Sequence, residues 1–123
     1  MHEYSVIQSL VDSVEAQVAQ HPGATVKRLR VSIGELSGVD TTLLASAYEV
    51  FRGGTICEQA LLEIVPVRAR WTCKSCDREI AKGEVLRCLL CDAEAKLAGG
   101  DEIILEQVEI ETVGKSEGSG GGV

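Results

Sequence analysis

The stretch from Trp71 to Cys91 reads WTCKSCDREIAKGEVLRCLLC and contains two Cys-x-x-Cys pairs separated by eleven residues. The four cysteines are Cys73, Cys76, Cys88 and Cys91. Each pair can fold into a tight turn that presents two thiolates, and two facing turns complete the tetrahedral four-sulfur site that structural zinc prefers. Such a site has no open coordination position, so the pattern indicates a scaffold for the fold and not a catalytic centre.

Two redox-active or disulfide pairs are the alternative interpretation of the same cysteines. We favour zinc, because a doubled pair is far more specific for metal than the single Cys-x-x-Cys of thioredoxin-like proteins. Five cysteines, four of them in this pattern, also fit a reducing compartment better than a secreted disulfide framework. Cys57 lies outside both pairs and is predicted to be a small buried side chain near the start of a strand.

Composition and charge disfavour several classes of protein. The chain has 123 residues, a formal net charge of -7 and 45% hydrophobic residues. An acidic protein is a poor nucleic-acid binder, because binding phosphates requires a basic surface. No apolar run approaches the roughly 20 residues that span a bilayer, and the start of the chain does not have the pattern of a signal peptide. We therefore expect a soluble, cytoplasmic protein that binds neither nucleic acid nor membranes.

Hydrophobic periodicity predicts two helices and three strands around the cysteine segment. The predicted helices are 4–20 and a second one from residue 41 to the Gly53-Gly54 pair, and the predicted strands are 25–34, 60–70 and 102–112. Asp40 is placed to cap the second helix with its carboxylate. The alternation of the last strand slips by one residue, which predicts a bulge near Glu106-Gln107.

The order of these elements predicts an α+β fold. A strand–helix–strand unit favours parallel pairing of the first two strands through a right-handed crossover, and the third strand can then run antiparallel at an edge. Pro66 lacks an N–H, so the second strand should also lie at an edge or a bulge. The predicted fold is a small, mixed, three-stranded sheet with two helices, plus an inserted four-cysteine zinc-ribbon module.

The same order predicts a division into parts. We expect residues 1–70 and 101–113 to form the α+β domain and residues 71–100 to form the inserted zinc-binding domain. The glycine- and serine-rich tail, 114–123, is predicted to be disordered. Flexible connections at 70–72 and 98–101 would let the zinc module reorient when it meets a partner.

The start of the chain, Met1-His2-Glu3, is a second candidate metal site. The amine of Met1, the amide nitrogen of His2 and its imidazole can chelate one ion, and nickel(II) and copper(II) favour such planar nitrogen sites. Glu3 can add an oxygen ligand or orient the imidazole. Taken alone the motif is weak, because every chain starts with Met and a histidine at position 2 is usually incidental. His21, the other histidine, is predicted to be a solvated turn residue.

No sequence motif indicates an enzyme. The chain lacks a nucleophile elbow, a P-loop, an H-E-x-x-H motif and a glycine-rich dinucleotide loop. Two histidines and a closed zinc site leave little for acid–base or nucleophilic chemistry.

Several short motifs stand together in the order seen in one family. They are Met1-His2-Glu3-Tyr4-Ser5, Ile33-Gly34-Glu35-Leu36-Ser37-Gly38-Val39, Ala47-Tyr48-Glu49-Val50 with Gly54-Thr55 after it, and the two cysteine pairs. From residue 1 to about 112 the chain resembles the HypA/HybF nickel metallochaperones of hydrogenase maturation. It departs from common zinc ribbons in its second turn, where Asp92 stands in place of a trailing glycine. Asp tolerates left-handed geometry at modest cost.

The resemblance implies a function for both candidate sites. It implies that His2, with the Met1 amine and nearby backbone nitrogens, binds nickel, that Glu3 contributes and that Asp40 lies near the site. It implies that the four cysteines hold a structural zinc. It further implies nickel transfer with a HypB-type GTPase into the hydrogenase large subunit, and in some members into urease; a homodimer is left open.

A zinc-ribbon protein-interaction module without a transported metal is the alternative function. It would bind zinc and a specific protein partner, and it would be indifferent to substitution of His2. The acidic charge argues against a DNA-binding version of this alternative.

Overall fold

Two helices and six strands make up the computed structural model, which describes residues 3–81 and 86–112. The helices are α1 (Glu3–Val18) and α2 (Thr41–Phe51). The strands are β1 (Ala24–Gly34), β2 (Leu61–Val67), β3 (Arg70–Cys73), β4 (Glu79–Ile80), β5 (Ala95–Gly99) and β6 (Ile103–Thr112). They form two three-stranded sheets, ordered β2-β1-β6 and β4-β3-β5. The predicted α+β fold, with two helices, a mixed sheet and an inserted cysteine module, is confirmed.

Both helices begin and end where local signals place them, within two residues. α1 buries the apolar stripe of its helical repeat and ends at Val18, two residues earlier than predicted. α2 is capped by Asp40, whose Oδ1 accepts the backbone N–H groups of Thr42 and Leu43 at 3.0 and 3.1 Å. This confirms the predicted N-cap, which satisfies N–H groups that have no partner inside the helix.

The larger sheet has β1 at its centre. β1 runs parallel to β2, with Leu29 opposite Leu62, and antiparallel to β6, with Leu29 opposite Val108. Parallel pairing of the first two strands and antiparallel pairing of the last are as predicted. Pro66 lies in β2, an edge strand, where a residue without an N–H is tolerated.

A bulge in β6 restores a single buried face, as predicted. Arg30 pairs with Gln107 and the next residue, Val31, pairs with Leu105, so Glu106 is the extra residue. Apolar side chains on both sides of the bulge therefore pack against the same core. These are Ile103, Leu105, Val108 and Ile110. A second irregularity, at Lys27 of β1, had no sequence signal.

The core lies between the two helices and one face of the larger sheet. It is aliphatic except for Tyr48 and Cys57, both almost fully buried. The other face of the sheet carries exposed ion pairs, such as that of Arg30 with Glu63 at 3.2 Å. Ser32 lies on the same face, between exposed neighbours, but it is only 5% exposed. Its hydroxyl donates to Oε2 of the bulged Glu106 at 2.9 Å.

The second strand is shorter than predicted. The prediction covered 60–70, but β2 ends at Val67, and Arg70 already belongs to β3 of the smaller sheet. The ladder stops at the pair of Gly34 and Val67, because β1 ends there; beyond it the backbone N–H of Ala69 donates to the side chain of Glu35 at 2.8 Å. Met1, His2 and the tail 114–123 lie outside the described residues, and none of the helices described is long and apolar enough to cross a membrane.

The turn after β1 binds both chain segments that connect the two sheets. We call residues 34–36 the clasp. Three successive N–H groups of the clasp donate to these segments: Gly34 to Glu102 O at 2.8 Å, Glu35 to Val67 O at 2.7 Å and Leu36 to Gly100 O at 2.7 Å. Gly34 allows this approach, because a Cβ there would lie 2.3 Å from the backbone of Gly100.

Candidate metal centre

The four predicted cysteines meet at one point of the smaller sheet. Their Sγ atoms all lie within 4.8 Å of one another. Cys73 and Cys91 are 3.2 Å apart, Cys76 and Cys88 3.8 Å, and Cys76 and Cys91 3.9 Å. A tetrahedral ion with metal–sulfur bonds of about 2.3 Å separates its ligands by about 3.8 Å. The sulfurs therefore fit a tetrahedral metal ion, and this is the only such group among residues 3–81 and 86–112.

The same sulfurs do not form disulfides. All five cysteines are free, and the shortest sulfur–sulfur distance, 3.2 Å, far exceeds the roughly 2.05 Å of a covalent bond. Cys57, the fifth, is buried in the core and away from this cluster, as predicted. The arrangement favours metal ligation over the redox alternative.

The two cysteine pairs are built in the same way. In the first turn the backbone N–H of Cys73 donates to the carbonyl of Arg78 at 2.8 Å. In the second, the N–H of Cys88 donates to the carbonyl of Ala93, also at 2.8 Å. Each hydrogen bond joins a first cysteine to the residue five positions later. Residues 73–78 and 88–93 are thus equivalent turns, which we call the first and second knuckles.

An aspartate in left-handed conformation closes each knuckle. Asp77 has a φ of 61° and Asp92 a φ of 57°. Their N–H groups donate to the carbonyls of Cys73 and Cys88 at 3.0 and 2.9 Å. The left-handed region is accessible to aspartate at a modest cost, so a glycine is not required. The expectation that Asp92 tolerates left-handed geometry is confirmed, and Asp77 adopts the same geometry in the first knuckle.

Backbone N–H groups point at the first sulfur of each knuckle. Sγ of Cys73 accepts from the N–H of Ser75 and of Cys76, both at 3.3 Å, and Sγ of Cys88 accepts from the N–H of Leu90 at 3.3 Å. The hydrogen bond from Cys76 is the main cause that holds the pKa of Cys73 below its ordinary value. These donors stabilise thiolates, the form in which cysteine ligates a metal.

One cation points at a sulfur of the cluster. The guanidinium of Arg78 donates to Sγ of Cys88, and this contact is the main cause that lowers the pKa of Cys88 to about 6. Arg87, another basic residue of the cysteine segment, pairs with Asp92 at 3.2 Å. Lys82, a further basic residue of the cysteine segment, is outside the described residues.

The N-terminal candidate site is described only in part. Met1 and His2 lie outside the described residues, whereas Glu3 is the first residue of α1. The backbone N–H of Asp40 donates to Oε2 of Glu3 at 3.3 Å, so the start of α1 lies beside the start of α2. Periodicity does not reveal this contact between residues far apart in sequence. His21 lies exposed in the turn after α1, as predicted.

Comparison with known proteins identifies one family. The model of the family described as "Hydrogenase/urease nickel incorporation, metallochaperone, hypA" matches residues 1–110. A hydrogenase maturation factor HypA of Wolinella succinogenes is 35% identical over 114 residues, covering 90% of this chain and 96% of that protein. The HypA of Aquifex aeolicus is 33% identical over 113 residues, covering 90% of this chain and 98% of that protein.

Two solved structures are similar in fold. The solution structure of the nickel metallochaperone HypA from Helicobacter pylori has a TM-score of 0.68 and 31% identity, covering 92% of this chain and all of that one. Another solution structure, of a HypA protein, has a TM-score of 0.75 and 31% identity, covering 92% of this chain and 98% of that one. The prediction that the chain is not an enzyme agrees with the family, whose members are metallochaperones. The chain belongs to the HypA family of nickel metallochaperones of hydrogenase maturation.

Proposed function

We propose that this protein carries nickel for the maturation of [NiFe]-hydrogenase, with Ni(II) bound at its N-terminus and a structural zinc in the cysteine cluster. The observation that carries the nickel part is the contact between Glu3 and Asp40. This contact places the start of α1, which directly follows His2 in the sequence, next to the start of α2, which Asp40 caps. The proposed nickel ligands are the Met1 amine, the His2 imidazole, nearby backbone nitrogens and Glu3, with Asp40 beside them.

His2 directly precedes Glu3 in the sequence, so the proposal assigns the nickel ligands to the part of the chain next to the contact between Glu3 and Asp40. The carboxylate of Asp40 accepts two N–H groups of α2, which restrains its rotation. Nitrogen ligands from the chain terminus suit Ni(II), and neighbouring carboxylates can orient them or add an oxygen ligand.

Zinc is the proposed ion for the cysteine cluster because of its ligand set. Cys73, Cys76, Cys88 and Cys91 offer four sulfurs at tetrahedral spacing, which closes the coordination sphere. Zinc in such a site supplies no redox or acid–base chemistry; it joins the two knuckles. The ligand role of these four residues, and of Met1, His2 and Glu3, belongs to this proposal.

The division into domains and the partners are also part of the proposal. Residues 1–70 and 101–113 would form the nickel-binding domain and residues 71–100 the zinc-binding domain, although β3 starts one residue earlier, at Arg70. A HypB-type GTPase and the hydrogenase large subunit are the proposed partners, since the family serves hydrogenase maturation. A homodimer stays open.

Nickel titration of the zinc-loaded protein tests this function. We expect about one Ni(II) per chain by calorimetry, with an affinity that rises with pH because the imidazole and amide must lose protons. His2→Ala, or a tag that extends the chain before Met1, should weaken nickel binding at least tenfold. His21→Ala removes the other histidine and is the matched control, which should bind nickel as the wild type does. Unchanged affinity in His2→Ala would overturn the proposed nickel site.

One observation favours the alternative, a zinc-ribbon interaction module. Leu89 and Leu90, at the tip of the second knuckle, are 72% and 79% exposed. Exposed leucines of this kind are typical of a docking surface when they occur together. The same titration separates the two functions, because the alternative predicts bound zinc and no specific nickel site.

A further inference from the structure

We propose that β2 is an interface between two copies of this chain, whose larger sheets join edge to edge through antiparallel pairing of their β2 strands. β2 (Leu61–Val67) lies at the end of the order β2-β1-β6, so within the described part of the chain only its side towards β1 is paired. We call its other side the free edge. A free edge presents unpaired backbone N–H and C=O groups, which form a template for another strand. Such pairing does not depend on the proposed nickel site.

The backbone of β2 alternates between the side of β1 and the free edge. The carbonyl of Val67 accepts the N–H of Glu35, the residue after β1, at 2.7 Å, so the polar groups of Val67 face β1. Neighbouring residues of a strand direct these groups to opposite sides, so those of Leu62, Ile64 and Pro66 face the free edge. Pro66 agrees with this direction, because a residue without an N–H is tolerated where the N–H would face outwards. The free edge therefore offers the N–H groups of Leu62 and Ile64.

The free edge is apolar, and its one ionisable side chain is already paired. Leu61 is 60% exposed. Oε1 of Glu63 lies 3.2 Å from Nε of Arg30 and 3.9 Å from Nη1 of Arg28, two cations of the neighbouring strand β1. Edge strands that avoid pairing carry charges, bulges or prolines. Pro66 protects only the last part of β2, so most of the strand is open to a partner.

The other edges of the two sheets are less suited to pairing between copies. β6 contains Glu106, Glu109 and Glu111 and has a bulge at Glu106, so two β6 strands would bring like charges together. In the smaller sheet, β4 has two residues and β5 has five, with Lys96 among them. Length and charge therefore favour β2 among the strands described.

The sequence of β2 can pair with itself without opposing like charges. In an antiparallel pair, two opposite residues that face the partner strand exchange hydrogen bonds. Ile64 opposite Ile64 of the second copy meets this condition and places Leu62 opposite Pro66. The N–H of Leu62 then donates to the carbonyl of Pro66, so the proline costs no donor. Glu63 lies opposite Val65, and a second copy thus supplies the strand that the free edge requires.

The test compares Leu61→Lys with Ile104→Lys. Both side chains are exposed, at 60% and 42%, and both lie on edge strands of the larger sheet, Leu61 on β2 and Ile104 on β6. Sedimentation equilibrium should show that the full-length wild type is a dimer that dissociates on dilution. Leu61→Lys should weaken dimerisation by about tenfold or more, because an edge lysine disfavours pairing. Ile104→Lys, the matched control, should dimerise as the wild type does.

Amide hydrogen exchange locates the interface. In the wild type and in Ile104→Lys, the N–H groups of Leu62 and Ile64 should exchange more slowly as the protein concentration rises, but not in Leu61→Lys. If Leu61→Lys does not fold, Val67→Lys, at an exposed position of the same strand, decides in its place.

Three results would overturn the inference. They are a wild type that stays monomeric at millimolar concentration, a dimer that both lysine variants retain equally, and a dimer in which these two N–H groups exchange as in the monomer. A monomeric wild type would also leave the free edge to a strand of another protein. His2→Ala should dimerise as the wild type does, so failure of the proposed nickel site is distinguished from failure of this interface.

Discussion

The carboxylate of Glu35 accepts the backbone N–H of Ala69 at 2.8 Å, which ties the end of β1 to the segment that leads into the cysteine module. The same clasp, residues 34–36, also binds the returning segment, through the carbonyl of Gly100. Both connections between the two sheets are thus held by one turn. Reorientation of the zinc module about these connections, expected from the sequence, stays a prediction and requires these hydrogen bonds to open.

Glu35→Ala should therefore loosen the orientation of the cysteine module. Residual dipolar couplings of the two sheets in the zinc-loaded variant should no longer fit one common alignment. The lost hydrogen bond should reduce the free energy of unfolding by only about 1 kcal/mol, because Glu35 is exposed. Glu63→Ala, which removes another exposed carboxylate of the larger sheet, is the control and should leave the common alignment intact. A single alignment in Glu35→Ala would refute the role of the Glu35 carboxylate in orienting the module, since the backbone hydrogen bonds of the clasp remain in that variant.

Gly100→Ala should destabilise the protein, whereas Gly99→Ala should not. Gly100 has a φ of 95°, and a Cβ there would lie 2.5 Å from Cα of Ala69. An alanine held at this positive φ loses about 1–3 kcal/mol of stability to backbone strain, and the clash of its Cβ with Ala69 lowers the stability further. At Gly99 the closest atom would be Nη1 of Arg70 at 3.5 Å, an ordinary contact. Urea unfolding of both zinc-loaded variants checks this difference, and similar free energies of unfolding would contradict it.

Removal of zinc should unfold the smaller sheet and spare the larger one. β3, β4 and β5 are short, and the buried apolar side chains in the described part of the module, those of Cys73, Ile80 and Cys88, are not part of the main core. Without the ion, so small a core cannot offset the entropy of ordering the chain. Amide hydrogen exchange after chelation should show lost protection in the module and retained protection in β1 and α1. Protection that persists in β3 would show that the module folds without metal.

Stability should decline in alkaline solution through a group unrelated to the metal sites. Burial is the main cause that raises the pKa of Cys57 from 9.0 to about 11, so the folded state keeps its proton more tightly than the unfolded chain does. The resulting stabilisation is complete below about pH 9 and is lost as the pH rises towards 11. The urea midpoint of zinc-loaded protein should therefore fall between pH 8 and pH 10.5.

Cys57→Ala is the matched variant for this titration. It removes the thiol, so its urea midpoint should fall less over the same pH interval. Burial also raises the pKa of Tyr48, to about 12, so some decline should remain in the variant. An equally steep decline in both proteins would show that Cys57 is not its source.

Local signals were sufficient for most of the fold. The helical stripe of α1, the cap at Asp40 and the alternation of β1 each depend on residues close in sequence, so periodicity and capping rules identify them. The slip of parity in β6 even located the bulge at Glu106, because the side-chain period of a strand is two. The short strands β3 and β4 were not foreseen, since two to four residues are too few to show a period.

The sequence by itself determined the ligand chemistry: two Cys-x-x-Cys pairs specify a four-sulfur site because each pair needs only a local turn. Only the tertiary structure decided what surrounds it. The guanidinium of Arg78 meets Cys88 across the two knuckles, and Glu3 meets the N–H of Asp40 between two helices. Ser32 is buried under Glu106, 74 residues further along the chain. Such contacts depend on how whole elements pack, and spacing along one chain does not encode the distance between residues on different elements.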